Sequence, residues 1–191
     1  MTMGIWHRIL NPVVAAFAVF FLLQPAQASD NSAQEELATL LEELRDPEQE
    51  RWQRIERQIT RIWSRSGSAS ADLLLQRGRS AMRRGDSRAA IEHFSALIDH
   101  APDFAEGWHA RATAYFMDKR LGMALADLQE TLARNPDHYA ALSGLGRIFE
   151  DLQNYEAAYA AFKASAAIHP HRDDVKTALE RVERRLQGIS L

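Results

Sequence analysis

The residues best suited to chemistry are the histidines at 93, 100, 109, 138, 169 and 171 and two adjacent acid pairs, Glu150-Asp151 and Asp173-Asp174. A helix-borne zinc hydrolase needs two histidines on one helical face with a glutamate beside the first, and the His-Glu-x-x-His spacing does not occur. The close pair His169-Pro170-His171 reads as a turn. No glycine-rich phosphate loop and no Gly-x-Ser-x-Gly elbow is present. The absence of cysteine removes disulfides, thiolate metal sites, thiol nucleophiles and a lipid-anchored cysteine. Acid pairs so placed read as solvated helix ends. The expectation is a chain with no catalytic residue, no metal site and no cofactor, and therefore not an enzyme.

The organisation of the chain appears in single-residue landmarks. Prolines stand at 102, 136 and 170, a step of 34, and the same step relates Ala90, Ala124 and Ala158, then Gly78, Ala112 and Gly146, then Phe94, Leu128 and Phe162. Four landmarks in register over three copies mean stacked supersecondary units. Each unit reads as two helices. In the middle copy an apolar stripe of Trp108, Ala112 and Tyr115 is followed by a turn near 120–122 and a second stripe of Ala124, Leu128 and Leu132, stopped at Asn135-Pro136.

On these residues the chain resembles the tetratricopeptide repeat family, whose pattern runs Trp-x-x-Leu-Gly-x-x-Tyr, then Ala-x-x-x-Phe, then Pro. Repeat 1, 71–104, carries Leu74, Arg77, Gly78, Ala81, Ala90, Phe94 and Pro102. Repeat 2, 105–138, carries Trp108, Arg111, Ala112, Tyr115, Ala124, Leu128 and Pro136. Repeat 3, 139–172, carries Leu142, Leu145, Gly146, Phe149, Ala158, Phe162 and Pro170. Arg replaces Leu at 77 and 111, Ala replaces Gly at 112, and Leu replaces Phe at 128. The small residue marks the close crossing of the two helices, where Ala should fit and a larger side chain should not. The resemblance implies an all-α fold, an α-solenoid of three helix-turn-helix repeats that grips another protein.

The flanks read differently. Residues 1–28 have the pattern of a secretory signal peptide: a short polar start with Arg8, an apolar run over 13–23 and Ala26-Gln27-Ala28 ahead of Ser29. An apolar run of 11 residues is shorter than the ~20 a spanning helix needs. The expected location is therefore exported and periplasmic. Residues 29–70 form an N-terminal helical hairpin and linker, with helices over about 32–45 (Leu37, Leu40, Leu41, Leu44) and 47–64 (Trp52, Ile55, Ile59, Ile62), the second opened by Asp46-Pro47 with Gln49 in the return position. Residues 173–191 supply a capping helix, with Val175, Ala178, Leu179, Val182 and Leu186 on one side, and a tail.

Charge is arranged in blocks. Residues 29–50 hold one Arg against eight acids, and 51–88 hold ten Arg against three acids. Two readings remain open: the acidic helix lies along the basic one or both are solvated, or the Arg/Trp helix 51–65 binds anionic lipid or a polyanion. The mature chain, losing Arg8 alone among its charges, carries −4 and gives no reason to expect nucleic acid as a partner.

In the first helix of each repeat, positions 4, 8 and 11 pack, which turns positions 2, 5, 9 and 12 toward the inside of the superhelix. The resemblance implies that this stripe and position 13 bind ligand peptides. It places Leu75, Arg79, Met82 and Arg83, then His109, Thr113, Phe116 and Met117, then Ser143, Arg147, Glu150 and Asp151 in the partner-binding groove. Phe116 and Met117 have an alternative place, packed under a neighbouring helix. The Lys and Asn with which some family members clamp a terminal carboxylate are absent, with Leu75, Arg79, Ala140 and Gly144 in the corresponding region. A protein or peptide partner is expected, of unassigned identity. When the full chain is made in an exporting host, intact mass should show a protein beginning at Ser29; a chain retaining Met1 in the membrane fraction would contradict the leader assignment.

Overall fold

The computed structural model describes residues 24–188, with side chains from Ser32 onward. The expected leader thus lies outside the described residues over 1–23, and 24–28 are described as helical backbone only. Helices run in the order α1 (Gln24–Arg45), α2 (Trp52–Trp63), α3 (Ala69–Arg83), α4 (Ser87–His100), α5 (Ala105–Met117), α6 (Leu121–Arg134), α7 (Tyr139–Asp151), α8 (Tyr155–Ile168) and α9 (Asp173–Leu186). No strand occurs among the described residues. The chain divides into two compact units, 1–39 and 40–191. The described part of the first is helical, and the second holds the end of α1 and everything that follows.

Each repeat is a helix pair, α3/α4, α5/α6 and α7/α8, and it cannot close its own core. Ala71, Leu75, Ala81, Ala90, Phe94 and Leu97 of the first pair are buried together with Ala110 and Ala114 of α5. Ala112, Tyr115, Ala124 and Leu128 of the second are buried with Ala141 and Ile148 of α7. Ala158 and Phe162 of α8 are buried with Val175, Ala178 and Val182 of α9. The last helix therefore covers the apolar face that an open stack would expose to water, as a cap must. Leu186, expected on its packed side, is 40% exposed.

The turn inside each pair is set by one residue. Gly85, Lys119 and Gln153 are one repeat apart and all left-handed, with φ of 76°, 60° and 60°. This corrects the expected turn near 120–122, since Gly122 lies within α6 and Lys119 makes the reversal. Side-chain caps start several helices: Ser68, Asp86, His138 and Asn154 each accept the N–H three residues on. The helix expected from Pro47 begins instead at Trp52, because Asp46 and Gln49 take up the N–H groups of Glu48 and Arg51 in tight local turns.

Helix crossing explains the small residues and corrects one expectation. A Cβ at Gly146 would stand 2.6 Å from Cδ1 of Phe162, and one at Gly78 would strike the ring of Phe94. Ala at either position therefore forces the phenylalanine ring to shift. It fits at 112 because the residue 16 positions later is Leu128 rather than Phe. Arg111, a departure from Leu, is likewise matched: its Nε and Nη2 donate to Asp127 at 2.7 and 2.9 Å, and Asp127 is buried. Gly146→Ala should destabilise the array by about 1–3 kcal/mol through overpacking, and Phe162→Leu in the same chain should recover part of that loss. Urea unfolding of the two single variants and the double variant measures the coupling; strictly additive losses would show that the two positions do not meet.

Candidate functional site

The concave side of the stack is formed by α3, α5, α7 and α9, and part of it is filled by the chain's own α2. Ile55 and Ile59 of α2 are buried, at 3% and 0% exposure. Trp63 stacks on His138, centroids 4.6 Å apart at 16°, and touches Tyr139 at 5.2 Å. Trp52 stacks on His171 at 5.4 Å and 4°, and meets the edge of His169 at 5.7 Å. Arg45 bonds Asp137 at 2.9 Å, and His171 lies 3.0 Å from the carbonyl of Asp46. The aromatic residues thus seat on the turns between repeats, at 137–139 and 169–171. The apolar side of α2, which carries Ile55 and Ile59, is thus occupied inside the molecule. Among the described residues no helix is long and apolar enough to cross a membrane.

Under α2 lies a buried charge. Glu106 on α5 accepts from Arg79 Nη2 at 2.6 Å through Oε1, and its Oε2 lies 3.2 Å from His138 Nε2 and 3.3 Å from His109 Nδ1. Arg79 also donates to Ser64 Oγ at 3.1 and 3.2 Å. Burial alone would raise the Glu106 carboxyl, but the neighbouring His109 and the hydrogen bond with His138 outweigh it and hold the group below the usual carboxylate range. Burial first, then the neighbouring His109, push His138 down against the pull of Glu106. Burial likewise lowers His169, against the pull of Glu56, and drives the Tyr139 hydroxyl up to about 12.

Three ligand atoms of Glu106, His109 and His138 lie within 4.8 Å of one another, close enough to surround one cation. The tautomer argues against that use. His138 Nδ1 accepts the Ala141 N–H at 3.1 Å as the cap of α7, so the neutral ring carries its proton on Nε2, the nitrogen that faces Glu106. A metal could take Nε2 only at the expense of the cap.

Beyond α2 the groove is open. One cavity of about 190 Å³ is lined by His109, Thr113, Phe116, Ser143, Arg147 and their neighbours. A second, about 580 Å³, shares Phe116 and Arg147 with it and extends to Glu150, Asp151 and Arg181. A third, about 280 Å³, lies between Arg79, Met82, Arg83 and Thr113. The expected groove residues are therefore largely brought together, with corrections. Leu75 is 2% exposed and belongs to the core. Ser143 is buried and bonds the Ala140 carbonyl. Phe116 lines two cavities while packing on the second core cluster, and Met117 is 56% exposed rather than tucked under a helix. Glu150 is held bidentate by Arg181 at 2.6 and 2.8 Å, and Arg147 bonds Asp174 at 2.8 Å, so neither is a free charge. Sequence reasoning missed Glu106 and His138. Glu106 stands at position 2 of the inward stripe, and a carboxylate there is the signal that was available.

The tetratricopeptide repeat profile matches residues 75–126 and 123–173, more than half of the chain. The chain belongs to the tetratricopeptide repeat family. A TPR repeat-containing protein of Rhizobium etli is 28% identical over 163 residues, 85% of this chain and 79% of that one. Among solved structures, the first TPR domain of RPAP3 bound to the HSP90 peptide SRMEEVD superposes with a TM-score of 0.61 at 24% identity, over 63% of this chain and 95% of that one. The Sgt2 TPR domain from Aspergillus fumigatus gives 0.60 at 24% identity, over 63% and 81%. These likenesses establish the TPR solenoid over the repeats.

The depressed His138 makes stability depend on pH in a defined direction. Below the unfolded value of about 6.5 the unfolded chain binds a proton that the folded ring resists, so stability is full above that pH and falls as pH drops toward the folded value. The urea midpoint should therefore be lower at pH 5.5 than at pH 7.5. His138→Asn keeps a capping side chain and removes the titration, so its midpoint should change less between the two; an equal change would place the pH dependence elsewhere.

Proposed function

We propose that this chain is a TPR adaptor, a binding module rather than an enzyme, that holds a peptide or protein segment in the open half of its concave groove. The observation that carries this reading is the run of adjoining cavities along α5, α7 and α9, with Phe116 at their junction and Met117 beside it in water. An anchor site of this kind draws most of its energy from a few buried apolar contacts, with surrounding charges setting orientation. The HSP90 peptide in the RPAP3 complex supports a peptide as the occupant of such a groove. It does not carry over as a partner, because the residues of a carboxylate clamp are absent here. Export to the periplasm is part of the proposal and is supported by the apolar run 13–23 and the Ala26-Gln27-Ala28 pattern.

Phe116 contributes to the core, so the test belongs at its exposed neighbours. Thr113→Glu with Met117→Glu should leave the melting curve within about 0.5 kcal/mol of the parent and abolish capture of the partner by the mature protein from its own envelope fraction. Phe116→Ala should lose both capture and stability. Undiminished capture by the double Glu variant would move the binding surface out of this groove.

A further inference from the structure

The inward fastening of α2 fixes what it shows to the outside. Arg51, Arg54, Arg57, Arg61 and Arg65 are spaced by three, three, four and four residues and all are exposed. Arg54, Arg57 and Arg61 lie on one side of α2 over about 10 Å, at 1.5 Å per residue, with Arg51 and Arg65 just beyond its two ends. None of the five makes an ion pair or a side-chain hydrogen bond among the described residues. The one acid within the helix, Glu56, faces inward, with Oε1 3.4 Å from His169 Nε2. All ten basic residues of 51–88 are arginine, the side chain whose planar fork matches a carboxylate in two parallel bonds.

A second surface in the same hairpin has the opposite sign. Glu42, Glu43, Asp46, Glu48 and Glu50 are exposed at the end of α1 and in the turn that follows. Of their carboxylates, only Glu42 reaches an arginine, Arg45, at 3.2 Å; the Asp46 oxygen is used by the turn. Residues 29–50 carry −7 and residues 51–88 carry +7. An anionic bilayer or a polyanion approaching the arginines meets the acids within a Debye length, about 8–10 Å, and the hairpin as a whole, 29–70, sets six Arg against nine acids, a net charge of −3. A partner gains on both surfaces only if it carries the reverse pattern. A second copy turned about a two-fold axis does so, since each chain then sets its arginines against the other's acids.

We propose that the outer face of the hairpin is a self-association surface, pairing two copies of this chain by reciprocal contact of the α2 arginine stripe with the acids of 42–50. The surface is separate from the groove, which stays open in the pair. Because its contacts are exposed ion pairs, the dimer is salt-sensitive.

Sedimentation velocity of the mature protein tests this. At about 20 mM salt a concentration-dependent dimer should form, and at about 500 mM it should dissociate. Two charge-reversed chains make the test specific. One carries Arg54→Glu, Arg57→Glu and Arg61→Glu, and the other Glu43→Lys, Glu48→Lys and Glu50→Lys. All six positions are exposed, and circular dichroism should show both chains folded. Each alone should be monomeric at low salt, whereas an equal mixture should dimerise, because both contacts then join opposite charges again. A wild-type chain that stays monomeric at low salt, or a mixture that fails to associate, overturns the proposal. So does a monomer that co-sediments with phosphatidylglycerol vesicles, which would assign the arginines to lipid phosphate.

Discussion

A carboxylate buried beneath a helix is stable only if it is paired and hydrogen-bonded, and Glu106 is, through groups drawn from two successive repeats. Arg79 comes from α3, His109 from its own α5, and His138 from the start of α7. Through Arg79 the carboxylate reaches Ser64, and through the stack of His138 on Trp63 it reaches α2. Removing one partner from such a set leaves a buried charge uncompensated, a loss of about 3–5 kcal/mol where burial is complete. The same groups that join consecutive repeats therefore also set the place of α2.

That placement changes what the groove is. A bare three-repeat stack would offer its whole inner stripe to a ligand. Here the part near Glu106, His138 and Tyr139 is occupied from within by Thr60, Trp63 and Glu56, which share a cavity wall with them. The part near Thr113, Phe116 and Arg147 remains open. The open part is thus a shorter channel, bounded at the far end by Glu150 of α7 paired with Arg181 of α9. Charges along this channel are already paired within the chain, Glu150 with Arg181 and Arg147 with Asp174, whereas Met117 stands in water beside Phe116.

Within the array, close packing is solved locally and differently in each copy. Where the crossing residue is Gly78 or Gly146, a phenylalanine ring fills the space; where it is Ala112, a leucine does. The two choices fill the crossing with different divisions of volume. Because each core cluster extends into the first helix of the next unit, a fault at one crossing is felt by its neighbour, as the nearest-neighbour energetics of repeat proteins require.

The period of 34, the two-helix unit, the capping role of α9 and most of the inward stripe were legible in the chain alone, because each depends on residues close together in sequence whose spacing follows helical geometry. Leu75 was misplaced because position 5 in the first repeat faces a core rather than open solvent, and local periodicity does not register which neighbour lies opposite. Docking of α2 was not legible. It rests on Trp52 and Trp63 meeting turns more than 70 residues away, with Ile55 and Ile59 buried between them, and an amphipathic helix carries the same pattern whether its apolar face meets protein or lipid. Tertiary structure alone decided that the face turns inward, since only the fold brings His138, Tyr139, His169 and His171 into one row beside it and so turns the arginines to the outside.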